Sequence, residues 1–191
     1  MQNYLKQEGI MAKIKAGDQF PNLPIELLYQ GPATMQDLFT APKTILWCLR
    51  YLGCTVCRYD IHLAAQRYDE VKAKNARIVF MLQSEKSLLQ EELKDVPLPF
   101  DIICDPSMKL YEELEIKPAK SMEALLGDQL EALKAKGAAA QAAGFSHGKY
   151  EGNEQQLPAM FIIGQDGIVL KAIYAETIMG LPNLNELLEM L

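Results

Sequence analysis

Short apolar runs alternate with stretches of helical period along this chain. Gly17-Asp18-Gln19-Phe20-Pro21 opens a turn-rich stretch, and Ile25-Glu26-Leu27-Leu28-Tyr29 then reads as a short strand. Thr34 stands where it can cap a short helix running through Phe39. Residues 45–49 are almost continuously apolar, the pattern of a strand covered on both faces. The spacing over 58–74 predicts an amphipathic helix. Residues 77–82 form a second buried strand, and 84–93 a helix with Pro97 and Pro99 beyond its end. A third strand, 100–104, passes through Asp105-Pro106 into a helix over 108–114. Residues 121–143 carry a long helical pattern with Gly127 and Gly137 as weak points, and its last part is alanine-rich. A polar, glycine-containing loop covers 144–156. Two apolar runs, 160–163 and 168–173, flank Gly164-Gln165-Asp166-Gly167, a hairpin signal. Residues 184–191 close the chain as a helix.

The early alternation of strands and helices gives parallel pairing, and the late hairpin adds antiparallel strands. The expected fold is an α/β sandwich with a mixed central sheet flanked by helices. The expected division is an N-terminal extension, 1–13, before a single domain, 14–191, with a helical insertion at about 118–156.

Composition narrows the function. With 191 residues, 49% hydrophobic and 23% charged, the chain suits one soluble globular domain with a substantial core. A formal charge of −6 and no basic stripe argue against a nucleic-acid surface. The apolar runs are too short to span a membrane. The polar, acid-containing start does not read as a signal peptide, so the expected location is cytoplasmic; Met11 is an alternative start. Four cysteines do not suggest a disulfide scaffold, and in a reducing compartment a CxxC is catalytic or metal-binding.

The chemistry is concentrated in Cys54-Thr55-Val56-Cys57, between the first core strand and the following helix. Two thiols at i and i+3 in a helix's first turn share a face within disulfide reach. Unpaired N–H groups and the helix dipole there favour a thiolate, and Arg50 or Arg58 can add positive charge. Cys54 at the helix start is expected to be the more exposed sulfur and Cys57 the more shielded. A zinc site would need four ligands; there is no second CxxC, and the chain has two histidines, His62 and His147. The reading is redox, with no metal and no organic cofactor. Cys48 and Cys104 read as packing residues, Asp105 as a helix cap, and His147 as a surface-loop residue.

The order and spacing of these segments resemble the thioredoxin fold. More narrowly they resemble the peroxiredoxin-like alkyl hydroperoxide reductase/thiol-specific antioxidant (redoxin) family. The likeness rests on Gly17-Asp18-Gln19-Phe20-Pro21, on Asp105-Pro106, and on Pro158-Ala159-Met160-Phe161-Ile162-Ile163-Gly164-Gln165-Asp166-Gly167, and it covers roughly 14–191. It implies a thioredoxin-like three-layer sandwich and a thiol-dependent antioxidant oxidoreductase cycling between dithiol and disulfide at Cys54 and Cys57. Thr55, Arg50, Arg58 and Pro158 would support the pair, with Pro158 in cis facing the sulfurs.

The chain also departs from the family. Peroxiredoxins carry Pro-x-x-x-Thr-x-x-Cys, whereas here Arg50 stands at the proline and Cys54 at the threonine position. In that register Cys57 matches the peroxidatic cysteine. In the thioredoxin register Cys54 is the nucleophile of a protein disulfide reductase. A non-catalytic redox-sensing or interaction module is the third reading. The implied partners are a hydroperoxide or disulfide substrate and a thioredoxin-like protein reductant, with a homodimer left open.

Overall fold

The longest apolar runs become the middle of one sheet. The computed structural model describes residues 12–191, so most of the 1–13 extension, Met11 included, lies outside the described residues. The strands are β1 (Pro24–Leu27), β2 (Gly31–Thr34), β3 (Lys43–Cys48), β4 (Ala76–Leu82), β5 (Ile102–Cys104), β6 (Ala159–Gly164) and β7 (Val169–Tyr174). Among the described residues they form a seven-stranded sheet in the order β2-β1-β5-β4-β3-β6-β7. β3 pairs parallel with β4, and β4 with β5. β6 runs antiparallel on the other side of β3 and continues into its hairpin with β7.

Period-two alternation divides the core between the two faces of the sheet. Ile45 and Trp47 of β3, with Ile78, Phe80 and Leu82 of β4, pack with Ile61, Val71, Leu89 and Leu187. Leu46, Cys48, Val79 and Met81 point the other way, onto Phe20, Leu38, Leu110 and Tyr111. Helices therefore cover both faces. They are α1 (Thr55–Gln66), α2 (Tyr68–Ala73), α3 (Lys86–Glu92), α4 (Lys109–Glu113), α5 (Met122–Leu126), α6 (Leu130–Ala142) and α7 (Leu184–Met190). No helix among the described residues is long and apolar enough to cross a membrane.

Three boundaries differ from the sequence reading. The helix expected over 58–74 starts at Thr55 and divides at Arg67, whose φ of −114° and ψ of 22° interrupt it. Gly127, at φ +56°, separates α5 from α6, while Gly137 stays inside α6. β2 carries no strand period and includes Pro32; as an outermost strand it tolerates a proline that a central strand would not. Thr34 does cap a short turn, a 3-10 helix over Met35–Leu38, with Asp37 accepting from the Thr34 N–H at 2.7 Å.

Candidate active site

The CxxC lies where β3 leaves the sheet. Leu49 N–H donates to Met81 C=O at 3.0 Å and Gln83 N–H to Arg50 C=O at 2.9 Å, so pairing to the β4 side continues into the turn. Cys54 N–H closes that turn onto Tyr51 C=O at 3.2 Å, and Leu52 N–H is held by Ser84 Oγ at 2.9 Å. Cys54 is the N-cap of α1, and Cys57 sits one turn in, on the same side. Both are free thiols. Tyr111 fixes the approach from below: its buried hydroxyl lies 2.5 Å from Leu49 C=O and 3.1 Å from Met81 C=O. Nothing in the sequence pattern marked Tyr111, Gln83 or Ser84 for this work, because their partners are distant in the chain and most are backbone groups.

The expectation of an exposed Cys54 is corrected. Cys54 is 2% exposed and Cys57 3%. The cover is a strap, residues 147–155, laid over the turn from the connection between α6 and β6. Gly148 N–H donates to Gly53 C=O at 2.8 Å. Asn153 N–H donates to Gln83 Oε1 at 2.6 Å, and Ser84 Oγ donates to Glu151 Oε1 at 3.0 Å. Arg50 Nη2 donates to Glu154 C=O. Gly148 C=O accepts from His147 Nδ1 at 2.8 Å, and His147 Nε2 lies 3.3 Å from Tyr51 Oη. His147 thus overhangs the turn while remaining solvent-exposed. The fit requires glycine: a Cβ on Gly53 would stand 2.0 Å from Lys149 C=O. The two glycines at the contact, Gly53 and Gly148, were the sequence signal for this close approach.

The two sulfurs are electrostatically unequal. Cys54 is brought down to about 7: the Cys57 thiol donating to it is the largest influence, burial opposes, and the Arg50 charge adds to the lowering. Arg50 Nη1 is 3.7 Å from Cys54 Sγ, on a side chain only 8% exposed. Burial pushes Cys57 well above the ordinary thiol range, and its bond to Cys54 works in the same direction. Burial also raises Tyr51, to about 12. On α1, burial lifts Asp60 above the usual carboxylate range against the pull of Lys136, whose Nζ is 2.7 Å away on α6.

The remaining candidates separate. Thr55 opens α1 and is half-buried. Arg58 turns from the sulfurs: its Nη2 pairs with Glu92 at 3.3 Å, and its guanidinium carbon lies 5.8 Å from the Phe145 ring centroid. The cis expectation for Pro158 is overturned, since no peptide bond is cis among the described residues. Pro158 instead extends the β6–β7 ladder outward, its carbonyl accepting from Ala175 N–H at 3.1 Å. It lines a cavity of about 360 Å³ with Trp47, Leu49, Tyr59, Leu63 and Met179, whose lining includes neither Cys54 nor Cys57. Cys48 is buried in the core on the opposite face of β3, and Cys104 is buried at the end of β5. Asp105 caps α4, accepting from the N–H groups of Lys109, Leu110 and Tyr111 at 2.8–3.3 Å. A buried thiolate beside a second thiol and a guanidinium can be oxidised and then resolved to a disulfide within one helical turn.

Comparison with known proteins bears on the family and the fold. The profile of the AhpC/TSA family matches residues 16–172. No match was found among curated proteins. Among solved structures, a cysteine-to-serine mutant of peroxiredoxin 6 of Arenicola marina superposes with a TM-score of 0.65 at 16% identity, covering 93% of this chain and 71% of that one. Yeast mitochondrial 1-Cys peroxiredoxin gives 0.64 at 12% identity, over 93% and 74%. Plasmodium vivax 2-Cys peroxiredoxin in its reduced form gives 0.63 at 12%, over 93% and 80%. At these identities the structural likeness speaks for the fold, which is thioredoxin-like.

Proposed function

This chain belongs to the AhpC/TSA family, and from that premise we propose that it reduces hydroperoxides with Cys54 as the attacking thiolate and Cys57 as the resolving thiol. Membership makes it a thiol-dependent, peroxidase-like antioxidant oxidoreductase; the assignment of the two sulfurs is our own reading. The observation that carries it is the Arg50 guanidinium 3.7 Å from Cys54 Sγ at the N-cap of α1. That position favours the anion by charge and by the unpaired amides of the first turn.

Cys54 thiolate attacks the terminal peroxide oxygen, the O–O bond breaks, and the sulfur is oxidised by two electrons to a sulfenic acid. The leaving alkoxide takes a proton, for which the Cys57 thiol is the adjacent source. Cys57 thiolate then attacks the sulfenic sulfur, hydroxide leaves and is protonated by solvent to water, and a Cys54–Cys57 disulfide remains. A thioredoxin-like protein dithiol, in the cytoplasm, returns the pair to the dithiol and becomes a disulfide itself. Neither step calls on a metal or an organic cofactor.

The family register favours a second reading, in which Cys57 is oxidised first. Treating Cys57→Ser and Cys54→Ser with one equivalent of hydroperoxide, then with dimedone, separates the two. A dimedone adduct on Cys54 in Cys57→Ser, and none in Cys54→Ser, is the expected result. An adduct on Cys57 in Cys54→Ser, with none in Cys57→Ser, would reverse the assignment.

A further inference from the structure

We propose that the strap, residues 147–155, is a gate that controls in one movement both access to Cys54 and the seating of Arg50 on it. The inference rests on Cys54 being the reactive thiol. Its basis is that the same segment does two things. It is laid over Tyr51 and Gly53 of the turn that leads into Cys54, where Cys54 and Cys57 are 2% and 3% exposed, and its Glu154 carbonyl takes one arm of the guanidinium whose other arm lies on Cys54 Sγ. Among the described residues Arg50 Nε has no hydrogen-bond partner, and the guanidinium's acceptors are the Glu154 carbonyl and the Cys54 sulfur.

The strap is closed by separable clamps. Its start is held backbone to backbone, Gly148 on Gly53. Its middle is held by Glu151 on Ser84 and by Asn153 on Gln83. Both Gln83 and Ser84 follow β4 directly, so the strap is latched to the rigid sheet rather than to another loop. Burial raises the Glu151 carboxyl above the usual carboxylate range, against the lowering influence of its hydrogen bond from Ser84. With Cys54 2% exposed, a peroxide needs an opening beside it, and a protein reductant a wider one still. The closed strap therefore holds the thiolate ready and shielded, and opening releases the sulfur together with the arginine that stabilises it.

The charged and titratable groups around Cys54 come from three segments: Arg50 and Tyr51 from the turn, Cys57 and Asp60 from α1, and His147 and Glu154 from the strap. The variant that isolates the strap is Gly53→Ala. It removes none of these groups, its backbone lies outside the left-handed region, and its methyl would stand 2.0 Å from Lys149 C=O, so the strap cannot close over it. The readouts are the rate of iodoacetamide modification, with the adduct mapped, and the pH midpoint of the ultraviolet thiolate absorbance.

The expected result is modification of Cys54 at least about tenfold faster than in the wild type, which corresponds to about 1.4 kcal/mol, and a midpoint moved up toward the ordinary thiol range. Gln83→Ala combined with Glu151→Ala, which unlatches the strap without adding bulk, moves both readouts in the same direction. Unchanged rate and midpoint in both variants, with the wild-type adduct on Cys54, would overturn the gate alone. A faster rate with an unchanged midpoint would overturn the link to Arg50. A wild-type adduct on Cys57 would overturn the thiolate assignment and the gate together.

Discussion

At the residue scale, Cys54 and Cys57 differ because of what each sulfur faces. Cys54 has the guanidinium of Arg50, the Cys57 thiol as donor and the helix start; Cys57 has its burial and its neighbour's charge. The thiolate is the reacting form. Below pH 7 a proton occupies Cys54, so its reaction rate falls about tenfold per pH unit, and above 7 it levels off. Arg50→Ala removes one lowering influence and moves the midpoint up; a pH–rate profile of Cys54 alkylation in the two proteins checks this. A wild-type midpoint at about 8.5, the free-thiol value, would contradict it. The CxxC itself was legible because spacing alone brings two thiols to one face of a helix. Its burial was not, because the covering residues lie about ninety positions away and reach the turn through backbone contacts. Asp105 was read correctly as a cap because its partners are local. Arg58 was not placed by sequence, since a helix face presents it equally to a sulfur or to Glu92.

At the element scale, periodicity identified β3, β4 and the β6–β7 hairpin; the apolar runs of β3, β4 and β6 are buried almost throughout, whereas β7 is largely half-buried or exposed. It missed β2, a four-residue edge strand with proline and glycine that exists through pairing with β1. The 144–156 stretch was legible as a loop, but the strap within it required tertiary contacts to be seen. α6 buries Ala140 and packs Leu133 on the core, at helical spacing with Lys136, and the Lys136–Asp60 pair ties α6 to α1. Gly137 lies within α6, and a Cβ there meets nothing within 4 Å. Gly137→Ala therefore raises stability by about 0.5–1 kcal/mol, through helix propensity and a less free unfolded chain. Urea unfolding measures it, and a lower midpoint for the variant would show that the position is constrained by something besides backbone entropy.

At the scale of the whole molecule, the mixed sheet sends β3 out between its neighbours so that the turn after it meets α1, the end of β4 and the strap at one point. The alternation of elements conveyed this architecture in advance because parallel pairing and a hairpin leave few ways to assemble it. The site's electrostatic asymmetry was beyond sequence reasoning, which had matched Cys57 to one family register and Cys54 to another without a means of choosing. The arginine seated on Cys54 is the physical ground on which we propose it as the attacking sulfur of a peroxidase-like enzyme. The most direct test is the stopped-flow consumption of hydroperoxide by reduced protein in the absence of reductant. Wild type and Cys57→Ser should each consume one equivalent in a first rapid turn, and Cys54→Ser none. A full first turn in Cys54→Ser, with none in Cys57→Ser, would contradict the account.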